Sequence, residues 1–195
     1  MSPSYIHSSA IVEDGAILMN GSKVWHFCHV RSGAILEEGV VLGKDVYVDA
    51  DVRIGKNSRV QNGVSIYKGV TIAPWCFIGP HVIFTNDISP RAGNRNWIIL
   101  PTHLRTGMSI GAGAIIRCGV TLGEFCMIGA GAMVTKDVPH FHLAVGLPAK
   151  VEKMVCACGM TFLPLRSSSV DLIRICCEEN LDSEALLYAK KFLNI

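Results

Sequence analysis

The feature that most constrains this chain is a strict six-residue repeat. Stepping in sixes from Ile6 gives Val12, Leu18, Val24, Val30, Leu36, Leu42, Val48, Ile54, Val60, Ile66, Ile72, Ile78 and Phe84, an unbroken apolar column. A second column, four residues after each of these, holds small or β-branched residues such as Ala16, Cys28, Ala34, Val46, Ser58, Val64 and Cys76. A third, three residues after, reads Gly33, Gly39, Asp45, Asp51, Asn57, Gly63 and Gly69. Gly, Asn and Asp tolerate positive φ, so this column predicts a turn every six residues. The period fits neither an amphipathic helix nor a hairpin meander. It predicts an all-β solenoid: short strands with inward aliphatic side chains, three to an 18-residue triangular coil. Parallel backbone pairing would stack such coils about 4.8 Å apart. A composition with only 7% aromatics and 19 glycines suits short strands and tight turns.

The register breaks once. After Phe84 comes a polar, turn-rich stretch, Thr85 to Trp97, and the sixes resume at Ile98, Leu104, Ile110, Ile116, Leu122, Ile128 and Val134, two residues out of phase. Residues near 85–97 are therefore expected to leave the coil as a loop, a common place for function in solenoids. The repeat ends near Pro139, which gives a coil domain over 1–148 and a tail over 149–195. In the tail Ser169 is a candidate N-cap with Asp171 in the first turn, and Asp182-Ser183-Glu184 marks a second start, predicting one or two helices. Such helices are expected to cap the open end of the solenoid.

A net charge of +2 and no long basic run give nucleic-acid binding no support. No apolar run reaches membrane-spanning length, so no membrane partner is expected. The start, Met1 to Tyr5, lacks a basic segment followed by an apolar stretch, and the expected location is a reducing cytoplasm.

Several strings resemble those of hexapeptide-repeat acyltransferases. Gly129-Ala130-Gly131-Ala132-Met133-Val134-Thr135-Lys136-Asp137-Val138-Pro139, followed by Val145-Gly146-Leu147-Pro148-Ala149-Lys150, is similar to the end of their acetyl-CoA-binding helix. Val24-Trp25-His26-Phe27-Cys28-His29, Val60-Gln61-Asn62-Gly63-Val64-Ser65-Ile66-Tyr67 and Phe84-Thr85-Asn86-Asp87 with Pro90-Arg91-Ala92 make a narrower match. They resemble N-acetyltransferases that acylate the 3-amino group of nucleotide-linked sugars for surface polysaccharides. The resemblance implies a left-handed parallel β-helix, acetyl-CoA or another acyl-CoA as co-substrate, and a nucleotide-sugar acceptor. It also implies a homotrimer with active sites between neighbouring helices. Two positions depart from the family pattern: Gly63 replaces a second Asn, and His81 replaces a small residue.

Acyl transfer needs a thioester held beside an amine, a route for the amine proton, and donors for the developing oxyanion. Asn86 is the first candidate for an essential side chain, orienting the amine, although an Asn that opens a loop also simply caps turns. His26 and His81 are candidate bases, though surface histidines are commonly inert. His29, Gln61, Asn62 and Tyr67 are candidate acceptor contacts, and stacking by eighteens puts Thr85 over Tyr67. Arg91 has the donor fork for an acceptor phosphate or carboxylate, or is a solvated loop charge. Lys136 and Lys150 are candidates for CoA phosphates, with the Gly129, Gly131 and Ala132 backbone lining the pantetheine groove or merely serving repeat geometry.

Cys28, Cys76 and Cys126 fall in the inward small column as core filler. Cys156, Cys158, Cys176 and Cys177 suffice in number for a zinc ion, but their irregular spacing leaves the expectation at no metal. Two other functions use the same coil. A zinc hydratase needs histidines across coils, and advancing His81 by two coils of eighteen reaches Arg117. A non-catalytic sugar-binding scaffold is the other.

Overall fold

The structure is a computed structural model that describes residues 3–195; Met1 and Ser2, which belong to the expected domain 1–148 and to the start read for an export signal, lie outside it. The chain forms a parallel β-helix of about eight turns. Its coils have three faces. Face one stacks Tyr5–Ile6, Lys23–Val24, Val41–Leu42, Arg59–Val60, Phe77–Ile78, Ser109–Ile110 and Met127–Ile128. Face two runs from Ile11–Val12 through His29–Val30, Tyr47–Val48, Ser65–Ile66 and Ile83–Phe84 to Met133–Val134, and face three from Ile17–Leu18 to Thr121–Leu122. Partners on neighbouring coils are eighteen residues apart, as in Arg59 opposite Val41 and Ile66 opposite Val48.

The two inward columns make the core: Val24, Leu36, Ile54, Val60, Ile66 and Ile78 are fully buried. The first coil differs, because no other described residue stacks on its outer side; Ile6 is 46% exposed and Val12 and Leu18 are half-buried. The third column turns as expected, with φ of +77° at Gly33, +59° at Asp45 and +58° at Asn57. Corner N–H groups that the strands leave over take side-chain acceptors from the coil beneath. Ser32 N–H donates to Glu13 (2.9 Å), Lys56 N–H to Glu37 (2.9 Å) and Lys68 N–H to Asp49 (3.1 Å). These contacts explain why acidic residues recur at corners of a coil whose backbone donors must all be matched.

The break is larger than the period shows. Ile83 pairs with Ile115, 32 residues on, so 32 − 18 = 14 residues are inserted within one coil. They leave face two after Ile83–Phe84 and return at Thr102–Leu104 on face three, closed at the base by Leu100 N–H donating to the Asn86 carbonyl (3.2 Å). Ile98, expected to restart the inward column, is instead 71% exposed in the loop, and the column restarts at Leu104. Ile98 and Leu104 share the same phase, so a period of six cannot distinguish them.

The tail departs more. Beyond the last coil, His142–Gly146 is followed by antiparallel strands Ala149–Val155 and Phe162–Leu163 that extend face one, which the repeat gives no sign of. Ser169 does not cap with its side chain; Asp171 accepts from Ser168 N–H (2.9 Å) instead, and only a short 3-10 turn, Val170–Leu172, follows. The helices are α1 (Ile175–Asn180) and α2 (Ser183–Leu193), the latter capped as expected by Asp182. They do not sit end-on as a lid. Leu181, Asp182 and Ala185 share a cavity with Gly39, Asn57, Trp75 and Phe125, corner residues of successive coils. Thus α2 starts against the corner between faces three and one, where Tyr188 and Phe192 meet Phe125 and Phe141.

Two substitutions test the core. Ile54→Val should cost about 0.5–1.5 kcal/mol in denaturant unfolding, whereas Ile54→Asp buries an unpaired carboxylate and should abolish the cooperative β-sheet transition in circular dichroism. A folded Ile54→Asp protein would contradict the inward assignment.

Candidate active site

The hexads place the candidate residues on two separate corners. The corner between faces one and two carries His26, Gln61, Asn62, His81, Gly129 and Gly131, spread over four of its coils. The corner between faces two and three carries Tyr67, Asn86, the loop with Arg91, and Lys136. His29 lies on face two between them. One chain therefore does not gather the candidate acceptor residues into one pocket.

On the first corner, Trp25, His26, Gly43, Lys44, Gln61 and Asn62 line a cavity of about 360 Å³. The His26 ring stacks on His7 at 3.5 Å between centroids. Asn62 is partly committed to the fold: its side-chain oxygen accepts from Lys44 N–H (2.9 Å). The two departures from the family pattern explain each other here. A Cβ on Gly63 would lie 2.5 Å from His81 Nδ1, so the missing side chain one coil below makes room for the imidazole. With the insertion counted, the next coils place Gly113 and Gly131 above His81, not Arg117. No ligand for a histidine-bound metal stacks on it.

Higher on this corner, the Gly129 N–H donates to Ala144 (2.9 Å), Gly131 to Ala112 (2.9 Å) and Ala132 to Gly129 (3.2 Å). All three amides expected to line a groove or meet an oxyanion are thus spent on coil geometry, and the Ala132 side chain is core, 1% exposed. Gly131 remains exposed, with nothing within 4 Å of a Cβ built on it.

On the second corner, Asn86 is half-buried at the mouth of the loop and Arg91 is exposed on it. Lys136 and Lys150 come together: with Thr135, Asp137, Pro148 and Ala149 they line a cavity of about 320 Å³ beside the last coil.

Reading by strings missed a polar cluster that reading by columns of eighteen reveals. Residues 13, 31, 49 and 67, with 29 and 47, fall on face two and its second corner. His29 Nε2 lies 2.8 Å from Glu13, Arg31 donates to Asp49 (3.0 Å), and so does the Tyr47 hydroxyl (3.2 Å). Burial pushes the Asp49 carboxyl up, but the Lys68 and Ala50 N–H groups, Tyr47 and Arg31 outweigh it and hold it below the usual range. Glu13 is lowered by Ser32 N–H and His29. Tyr47 and Tyr67 rings continue the ladder at 6.2 Å. This wall is charged, aromatic and preorganised, the kind of surface that orients a polar acceptor.

The sequence pattern described as bacterial transferase hexapeptide (six repeats) matches residues 51–86, and that of the hexapeptide repeat of succinyl-transferase matches 33–68 and 109–136. A dTDP-3-amino-3,6-dideoxy-alpha-D-galactopyranose 3-N-acetyltransferase of Aneurinibacillus thermoaerophilus is 46% identical over 57 residues, 29% of this chain and 30% of that protein. A galactoside O-acetyltransferase of Lactococcus lactis is 33% identical over 89 residues, 40% of this chain and 43% of that one. The chain thus spans less than half the length of these curated relatives. Among solved structures, a GDP-perosamine N-acetyl transferase mutant from Caulobacter crescentus, in complex with CoA and GDP-perosamine, is similar with a TM-score of 0.50 and 25% identity, over 77% of this chain and 57% of that one. A hexapeptide-repeat acetyltransferase from Vibrio cholerae, complexed with acetyl coenzyme A, gives 0.56 and 25% over 63% and 70%. By its six-residue columns, its stacked coils and these matches, the chain is similar to hexapeptide-repeat transferases.

Proposed function

We propose that the chain is an acyl-CoA-dependent N-acyltransferase, most simply an N-acetyltransferase, acting on the 3-amino group of a nucleotide-linked sugar in surface-polysaccharide synthesis. The observation that carries this reading is the placement of polar candidates on two corners flanking face two, while α2 occupies the third corner. A neighbouring helix packed against face two would bring its first corner to this chain's second. That supports a homotrimer whose sites lie between chains. Exposed apolar side chains on face two, Ile11 (59%) and Ile83 (52%), suit such packing. The curated 3-N-acetyltransferase relative and the neighbour solved with CoA and GDP-perosamine support the substrate class.

In this reading CoA lies along the upper coils, its phosphates meeting Lys136 and Lys150 and its pantetheine passing the exposed Gly131. The sugar amine attacks the thioester carbonyl, the tetrahedral intermediate expels the CoA thiolate, and the amine's proton passes to that thiolate. Asn86 orients the amine, with His26 or His81 of the facing corner near the proton's path. His29, Gln61, Asn62, Tyr67 and Arg91 hold the acceptor. Holding amine and thioester together supplies much of the rate by itself, about 7–11 kcal/mol in well-oriented systems. Among the described residues no helix is long and apolar enough to cross a membrane.

Steady-state kinetics on a 3-amino nucleotide sugar test the acceptor half. Asn86→Ala should keep CoA affinity and lower kcat by roughly 100-fold or more, while Arg91→Ala should act mainly on the acceptor KM. Wild-type turnover in Asn86→Ala would remove its orienting role. For the donor half, Lys150→Ala should weaken CoA more than dephospho-CoA in calorimetry; equal losses would take Lys150 away from the 3′-phosphate.

A further inference from the structure

The tail holds a group that acyl transfer does not use. Cys156 and Cys158 follow the strand Ala149–Val155 into a turn, and Cys176 and Cys177 are adjacent in α1. In sequence the two pairs look unrelated. In the fold their four sulfurs all lie within 4.8 Å of one another, which among the described residues no other group of histidine, cysteine or acidic side chains does. We propose that these four cysteines bind one structural zinc ion that fastens the tail to the end of the β-helix.

The geometry distinguishes this from a chance thiol cluster. A tetrahedral zinc with sulfurs at about 2.3 Å sets sulfur–sulfur edges of about 3.8 Å. The structure has 3.5 Å between Cys156 and Cys158, 3.8 Å between Cys156 and Cys176, and 3.5 Å between Cys158 and Cys176. All four are free thiols, and these separations are far beyond a disulfide's sulfur–sulfur bond of about 2.05 Å. An all-sulfur tetrahedron is the donor set that zinc favours in closed structural sites.

The surroundings fit as well. Thr161 N–H donates to Cys156 Sγ (3.2 Å) and the Thr161 hydroxyl lies 3.6 Å from Cys176 Sγ, contacts that would steady thiolates around a metal. Gly159, at φ +80°, lets the turn after Cys158 reverse tightly, with its N–H donating to the Cys156 carbonyl (2.9 Å). Cys156 and Cys177 are fully buried, while Cys176 opens on a cleft of about 510 Å³ beside Thr161, Asp171 and Arg174, an entry path for the ion.

The consequence is mechanical. Phe125, Phe141, Cys156, Ala157, Leu163, Leu172, Cys177 and Ala189 form a second apolar cluster apart from the coil core. It joins the last coils to α1 and α2, and it is small. A metal joining Cys156 and Cys158 on one side to Cys176 and Cys177 on the other would hold it closed, because ligand binding energy becomes folding energy for such a unit. The four thiols would release their protons to solvent as zinc binds.

The test uses the untagged, full-length protein kept reduced. Elemental analysis should find one zinc per chain, retained through dialysis. Chelation should raise hydrogen exchange over residues 156–189 and leave the coil protected. Cobalt in place of zinc should give thiolate-to-metal charge-transfer bands and the intense visible bands of a tetrahedral site. Cys156→Ser and Cys177→Ser should each weaken zinc by roughly 100-fold or more, while Cys28→Ser, in the coil core, keeps it. Since the wild-type cobalt spectrum needs no variant, misfolding of a mutant cannot mask the answer. Protein that takes up no stoichiometric zinc when it is supplied, that binds iron in its place, or whose cobalt spectrum lacks thiolate bands would overturn the proposal.

Discussion

Each coil pairs with the next through parallel backbone hydrogen bonds, and that pairing holds only if every coil returns to the same three faces. Eighteen residues satisfy it, since six per side allow a short strand, an inward aliphatic and a corner with positive φ. From this constraint follows the rest. Inward columns are buried because nowhere else remains for them, and corner N–H groups take carboxylates from the coil below because strands leave them unmatched. Extra residues can leave only as a loop that closes on itself, as the inserted ones do through the Asn86–Leu100 backbone contact.

The same constraint decides where chemistry can sit. Outward side chains at a corner stack in a line along the helix axis, so one corner is a ladder that opens only a cleft such as that at His26, Gln61 and Asn62. His26, Gln61, Asn62 and His81 form one ladder, and Tyr67, Asn86 and Lys136 another. The lysine cavity at Lys136 and Lys150 arises because the tail turns back beside the last coil. In the proposed enzyme a second chain supplies what the acceptor ladder lacks.

Much of this was legible in the sequence, and the reason is local. Inward aliphatics and positive-φ corners are properties of single hexads, so Val24 to Phe84 and the turns at Gly33, Asp45 and Asn57 could be read directly. Ile98 could not, because phase is blind to multiples of six. The ladder Glu13–His29–Arg31–Tyr47–Asp49 was missed because its members are neighbours only after coiling, and a search at spacing eighteen is what exposes it. The tail obeys no period at all. Its strands after Pro148 and the meeting of Cys156 and Cys158 with Cys176 and Cys177 depend on tertiary packing that spacing in sequence does not encode.

The central claim is that the acceptor site is shared between two chains, one giving its second corner and the other its first. Subunit complementation tests it directly. A chain carrying Asn86→Ala is impaired on its second corner only, and one carrying both His26→Ala and His81→Ala on its first only. Denatured together and refolded at equal amounts, they should form mixed trimers in which some sites pair two intact corners, restoring about a quarter of wild-type activity for random assembly. Activity in the mixture no higher than that of the separate parents would contradict a site shared between chains.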